Sequence, residues 1–298
     1  MTPLGPPPGD LPPDWPLAEY SGTATVGAHR WHVQVLGTGP AVLLLHGTGA
    51  STHSWRGVAP LLADHARVVM VDLPGHGFTR ATGPERASLP AMADDLALLL
   101  QRLGIAPDIV VGHSAGAAIA LWMALAAPET IRGVVGFNAA LSPFRGAAGW
   151  VFPVLARTLV RAPGVPFLAS RALGLPGQVS GLLASTGSRI DSAGRRQYRQ
   201  LVSDRRHVAG ALAMMAAWDV GRLSERLPTL ACPVLLATGS RDGSVPPENS
   251  REAAARLPMG AWRDLGALGH LAHEERPDLA AGIILGMLSD PAAMVTER

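Results

Sequence analysis

Lysine is missing from this chain. All 25 basic residues are arginine, set against 23 acidic ones, for a net charge of +2. So even a balance gives no strong global field, which argues against a nucleic-acid partner. GC-rich coding accounts for an arginine-only composition, but arginine also grips planar carboxylates with paired bonds, as lysine does not. Cysteine occurs once, at Cys232, so there is no disulfide framework. No spacing of Cys and His suits a metal, and neither a metal nor an organic cofactor is expected. The N-terminus, MTPLGPPPGDLPPDWP, is Pro-rich and has no apolar signal core. It predicts an extended, polyproline-like arm over 1–20, leading into a cytoplasmic protein. No internal repeat is evident.

What the chain does have is length and apolar residues: 298 residues, 48% of them hydrophobic, enough for one large α/β domain. HRWHVQVL (His29–Leu36) alternates as a half-exposed strand does. Short apolar runs follow: AVLLLHG (Ala41–Gly47), RVVMVDLPGHG (Arg67–Gly77), DIVVGHS (Asp108–Ser114), IRGVVGFNAA (Ile131–Ala140), CPVLLATGS (Cys232–Ser240) and GAWRDLG (Gly260–Gly266). Helical patterns lie between or after them at Leu89–Leu103, with Asp94 and Asp95 on its polar side, at Ala115–Pro128 and at Asp278–Leu288. Buried strands alternating with helices predict an α/β fold with a mostly parallel sheet and helices on both faces. The rhythm breaks from Ser142 to about Arg222, a helical stretch expected to form a lid. The predicted organisation is an arm (1–20), a core (21–141 and 223–298) and an inserted lid (142–222).

Ile109–Ala127 carries no charged residue and at first resembles a membrane span. It divides into a strand, a sharp turn and a helix, each half too short to cross a bilayer. The turn, Gly112-His113-Ser114-Ala115-Gly116, matches G-x-S-x-G at a strand-to-helix junction, where small flanking residues let the serine rise off the sheet. The helix that follows sets its positive end beneath a developing negative charge. A serine needs a base, and the base needs an orienting acid. In the order serine, acid, histidine the candidates are Asp242, in a turn past a buried strand where Asp-Gly also reads as a plain turn dipeptide, and His270, in a loop before the last helix. His273 competes with His270 and would cap the helix or line the pocket. An oxyanion needs two fixed N–H donors. They are expected from Ala115 and from Thr48, in the loop HGTGAS, where Gly47 and Gly49 let the backbone come close. His46 and His76 are expected to brace loops. Asn138, at a strand end where an alternative acid would sit, is uncharged, which favours Asp242. Met214, Met215 and Trp218 are expected in the lid core or the pocket wall. His113, expected to turn away beneath the loop, is grouped with them around the substrate pocket.

Taken in order, LLLHGTGAS, DLPGHG, GHSAG, GSRDGSVP and GHLAHEERP resemble the α/β-hydrolase superfamily over about Arg30 to Leu288. RWHVQ, followed by LLLHGTGASTHSWRGVAPLL and DLPGHGFT, resembles more closely the magnesium-chelatase accessory proteins of bacteriochlorophyll biosynthesis. That resemblance implies a pathway, near magnesium insertion, more clearly than it implies a reaction. It also implies chelatase subunits among the partners.

The expected lid holds eleven Arg and three Asp, a charge of +8, while the remainder is −6. With its apolar stretch Val151–Ser170 it suits a flat apolar ligand bearing carboxylates, such as a porphyrin or its ester. It equally suits peripheral contact with an anionic membrane. Three functional readings follow: a serine hydrolase of an ester-like bond, a non-catalytic porphyrin-binding or chelatase accessory protein, and a carbon–carbon hydrolase or cofactor-free oxidase using the same residues.

Overall fold

A computed structural model describes residues 1–80, 84–142 and 164–296. Eight strands form one sheet: β1 (Ser21–Val26), β2 (His29–Leu36), β3 (Ala41–Leu45), β4 (Arg67–Val71), β5 (Ile109–His113), β6 (Gly133–Phe137), β7 (Val234–Thr238) and β8 (Gly260–Asp264), in the order β1-β2-β4-β3-β5-β6-β7-β8. β1 and β2 run antiparallel to their neighbours, and β3 to β8 are parallel. β3, β5, β6 and β7 are buried along their whole length, which explains their continuous apolar runs. β1 is an addition to the expected strands. SGTATV is too rich in small and polar residues to signal a strand, and it forms by pairing with the first six residues of β2.

The helices are α1 (Ala59–Ala63), α2 (Leu89–Leu103), α3 (Ala115–Ala126), α4 (Val165–Leu173), α5 (Gln178–Ser185), α6 (Ser192–Ser203), α7 (Arg205–Ala217), α8 (Gly221–Arg226), α9 (Pro247–Ala254), α10 (Ala272–Glu275), α11 (Pro277–Ser289) and α12 (Ala293–Thr296). In α2, Leu89, Met92, Leu96, Leu99, Leu100 and Leu103 recur every three or four residues and bury one stripe, and Gly104 ends the helix in a left-handed turn (φ 65°). Each such side chain contributes about 1.5–3 kcal/mol by leaving water. α2 and α3 cover one face of the sheet, and α1 and α11 the other. Asp95 departs from the expected polar side of α2. It is buried and accepts hydrogen bonds from His29 Nε2 (2.7 Å) and Arg86 Nε (2.9 Å), partners that helical spacing does not show.

The arm also departs from expectation. A polyproline helix has no internal hydrogen bonds, yet here Leu11 N–H donates to Pro8 O, Trp15 N–H to Pro12 O and Ala18 N–H to Trp15 O. The arm is a chain of turns that carries Trp15 into a buried cluster with Phe78 and Leu201.

Between β6 and β7 the described residues form helices α4 to α8 and no strand. Arg145, Arg157, Arg161 and most of the apolar stretch Val151–Ser170 lie outside the described residues. This insertion is tied to the core by side chains and by backbone. The Tyr198 hydroxyl donates to Glu274 (2.6 Å), and Arg56 joins Glu274 to Asp191. His207 Nε2–H donates to Gly49 O (3.1 Å), and its Nδ1 accepts from Gly77 N–H (3.0 Å). Nearby, α7 crosses the loop at Gly75 with no side chain between them: a Cβ on Gly210 would lie 2.1 Å from Gly75 O. Among the described residues no helix is long and apolar enough to cross a membrane.

Two expectations follow for stability. Gly210→Ala should lower the urea midpoint, with a loss of about 1–3 kcal/mol from overpacking; an unchanged midpoint would mean that α7 is free to shift. Burial pushes His207 down to about 4 from an ordinary 6.5. The unfolded chain therefore takes up a proton that the folded protein refuses in this window. Stability should be full above pH 6.5 and fall as pH drops toward 4, by about 3 kcal/mol from this residue. In His207→Gln, the slope of unfolding free energy against pH over that window should be shallower by up to one proton.

Candidate active site

β5 runs straight into α3, and Ser114 sits at the corner with φ 52° and ψ −115°, a backbone that non-glycine residues rarely adopt. Its neighbours must be small. A Cβ on Gly112 would lie 2.3 Å from Ala117 N, and one on Gly116 would lie 2.4 Å from Leu45 O. The corner is held by its own amides: Ser114 N–H donates to Phe137 O (2.9 Å) and Ala140 N–H donates to Ser114 O (3.1 Å). The Ser114 side chain is half-buried, and its hydroxyl has no hydrogen-bond partner among the described residues.

Asp242 follows β7, and His270 follows β8. The structure brings them together: His270 Nδ1–H donates to Asp242 Oδ2 over 2.8 Å. The carboxylate is held on every side. Oδ1 accepts from Ser244 N–H (2.8 Å) and Val245 N–H (2.9 Å), and Oδ2 also accepts from Asn138 Nδ2 (2.8 Å). Asn138 itself has a left-handed backbone (φ 47°) and also donates to Gly269 O (3.3 Å). Sequence reasoning weighed Asn138 only as the site of an absent acid. Its contact to Asp242 spans 104 residues and has no local signal.

His113 corrects its expected grouping with the pocket. It is 2% exposed, and its Nε2–H donates to His270 O (2.9 Å) while its ring lies tilted, 4.8 Å from the His270 ring. The residue before the serine thus supports the backbone of the histidine opposite and faces no open space. His273 lies one layer deeper, 4.5 Å from His113 and 4.4 Å from Trp55. Burial, then the nearby His270, pushes it down to about 3, and neither ring nitrogen has a partner. It bonds neither Ser114 nor Asp242. His113 is likewise held well below its ordinary range by burial, then by His273 and His270.

The loop after β3 passes close over the serine. A Cβ on Gly47 would lie 3.0 Å from Ser114 Cβ. Gly49 is left-handed (φ 77°). Thr48 N–H has no acceptor among the described residues, while the Thr48 hydroxyl donates to Met214 Sδ (3.3 Å). Ala115 is the first residue of α3, where an N–H has no partner within the helix. His46 braces this loop, accepting from Leu73 N–H (2.9 Å) and donating to Gly47 O (2.8 Å). Beneath it lies Asp72, which accepts from His32 Nδ1 (2.7 Å), Thr52 N–H (2.7 Å) and Phe78 N–H (2.8 Å). Burial pushes the Asp72 carboxyl up, but His32 and these donors outweigh it and hold it well below the usual carboxylate range. His76 contacts Pro74 O (3.1 Å) and meets the His207 ring edge to face. Met214 is fully buried, while Met215 and Trp218 are half-buried. No group of three or more His, Cys, Asp or Glu able to hold a metal occurs among the described residues.

A family model described as alpha/beta hydrolase fold matches residues 40–277. The chain is 44% identical over 283 residues to the magnesium-chelatase 30 kDa subunit of Rhodobacter capsulatus, covering 94% of this chain and 99% of that protein. It is 29% identical over 246 residues to a pimeloyl-acyl-carrier-protein methyl ester esterase of Xanthomonas oryzae pv. oryzae, covering 80% and 91%. Among solved structures, a thermophilic esterase of Thermogutta terrifontis superposes with a TM-score of 0.71 at 24% identity, over 91% of this chain and 99% of that one. The epoxide hydrolase CorEH superposes with a TM-score of 0.74 at 19% identity, over 90% and 98%. At such identities the structures share the fold alone. Through the family model and the near full-length match to the R. capsulatus protein, the chain belongs to the α/β-hydrolase fold family.

Proposed function

We propose that this protein is a serine hydrolase of an ester-like substrate, with Ser114, Asp242 and His270 as its triad. The observation that carries the reading is the 2.8 Å bond between His270 Nδ1 and a fully satisfied Asp242, with His270 O bonded to His113, the neighbour of a serine on a strained corner. In the reaction, His270 Nε2 takes the Ser114 proton as Oγ adds to the acyl carbon. Asp242 holds the ring in the tautomer with its proton on Nδ1 and stabilises the cation that forms. The carbonyl oxygen becomes an anion facing the N–H groups of Ala115 and Thr48. His270 then protonates the leaving alcohol, and water enters by the same steps in reverse to release the acid.

The R. capsulatus relative, named a magnesium-chelatase subunit, supports a place in bacteriochlorophyll synthesis near magnesium insertion. Residues 142–222 are taken as the lid, and their eleven Arg against three Asp suit a ligand with carboxylates, such as a porphyrin or its ester. That relative's name also favours a second reading, in which the protein binds a porphyrin or assists chelatase subunits without turnover. The unbonded Ser114 hydroxyl is in keeping with it.

A fluorophosphonate probe separates the two. Wild-type protein should be labelled covalently and Ser114→Ala should not. Ser114→Ala and His270→Ala should each lower hydrolysis of a p-nitrophenyl ester by about three orders of magnitude or more. Wild type that stays unlabelled would sink the hydrolase reading. Full pathway function in a Ser114→Ala strain would favour the accessory role.

A further inference from the structure

We infer that the short segment Thr186–Ser188, between α5 and α6 of the insertion, positions the Asp242–His270 pair. This rests on the triad reading above. The acid loop follows β7 and the base loop follows β8, and both are held by one backbone oxygen. Thr186 O accepts from Gly243 N–H (3.1 Å) and from His270 N–H (3.0 Å). A carbonyl has two lone pairs, and at the end of a helix it has no partner within the helix, so it is free for this double duty. Thr186 sits immediately after α5, where its hydroxyl donates to Leu183 O (2.6 Å) and Gly187 N–H donates to Ala184 O (2.9 Å). The acceptor is therefore fastened to the last turn of α5.

The fit around it is backbone against backbone. Each of the three segments contributes a glycine with no room for a side chain. A Cβ on Gly187 (φ 77°) would lie 1.9 Å from Arg241 O, one on Gly243 would lie 2.4 Å from Ser185 O, and one on Gly269 would lie 2.3 Å from Gly187 C. Side chains complete the join. Buried Ser188 accepts from Leu271 N–H through Oγ (2.8 Å), and Glu275 accepts from Gly269 N–H (2.7 Å) and Arg189 N–H (3.0 Å). His270 is thus gripped by its N–H from the insertion and by its carbonyl from His113, next to the serine. A shift of the segment moves the ring relative to both Ser114 and Asp242, so the insertion cannot swing at this point without dismantling the triad.

The test uses full-length protein, with Ser188→Ala and Gly187→Ala as the segment variants and Leu182→Ala, at an exposed site on α5, as the control. Three quantities are read: the low-field proton resonance of the His270 Nδ1–H bonded to Asp242, the maximal rate and half-saturation of fluorophosphonate labelling, and the melting temperature. In Ser188→Ala the low-field proton should be lost or displaced. The maximal labelling rate should fall about tenfold or more, as small misplacements of a catalytic group do, with half-saturation nearly unchanged and melting close to wild type. Leu182→Ala should match wild type throughout. A folded Ser188→Ala that keeps both the proton and the wild-type labelling rate overturns the inference, whatever Gly187→Ala does. Wild type that shows the proton but is never labelled would end the hydrolase reading, and the proton in Ser188→Ala would still decide the positioning claim.

Discussion

A carboxylate with no access to water anchors the serine-side loops. Asp72 lies at the end of β4, and taking its charge out of water is tolerable only because every strong contact is met. His32 comes to it from β2, Thr52 from the loop beyond Gly47–Gly49, and Phe78 from the loop that receives His207. A Cβ on Gly77 would meet the carboxylate at 2.1 Å, so the loop must cross bare. The backbone over the serine and the backbone under α7 are thereby referred to one fixed negative point.

The opposite half of the site is built from aromatic rings. Trp55, His273, His113 and His270 form a column leading from the core to the surface of the site. Burial keeps His273 and His113 uncharged. In the proposed reaction the cation that forms on His270 therefore meets Asp242 on one side and the uncharged rings of His113 and His273 on the other. The two halves, one organised by a buried anion and one by neutral imidazoles, meet across Gly47, whose lack of a side chain lets the loop rest on both His113 and Ser114.

Much of this was legible because it is local. Continuous apolar runs mark β3 to β7, and Gly112-x-Ser114-x-Gly116 announces a corner that only small residues permit. The order of Ser114, Asp242 and His270 could be read, and the structure brings the last two into contact. What escaped is non-local. Asp95 has the spacing of a solvated helix face, yet it meets His29 across 66 positions. β1 has little strand character of its own and exists through β2. Asn138 has no motif to mark it as a donor to Asp242. Thr186 escaped for a different reason: its contribution is a main-chain oxygen, which any residue carries, so no choice of side chain there signals it.

The N-terminal turns have a consequence for the order in which the molecule can be completed. Asp10 pairs with Arg80 in the core and with Arg206 in the insertion, and Trp15 packs with Phe78 and Leu201. The arm thus waits for partners as far as 196 positions further along the chain. The loops that carry Asp242 and His270 emerge later still, after the insertion whose Thr186 O accepts from both. Assembly is therefore weighted toward late, long-range closures, which favours slow folding. A nascent chain halted before β8 would lack the His270 that the proposed triad sets against Ser114.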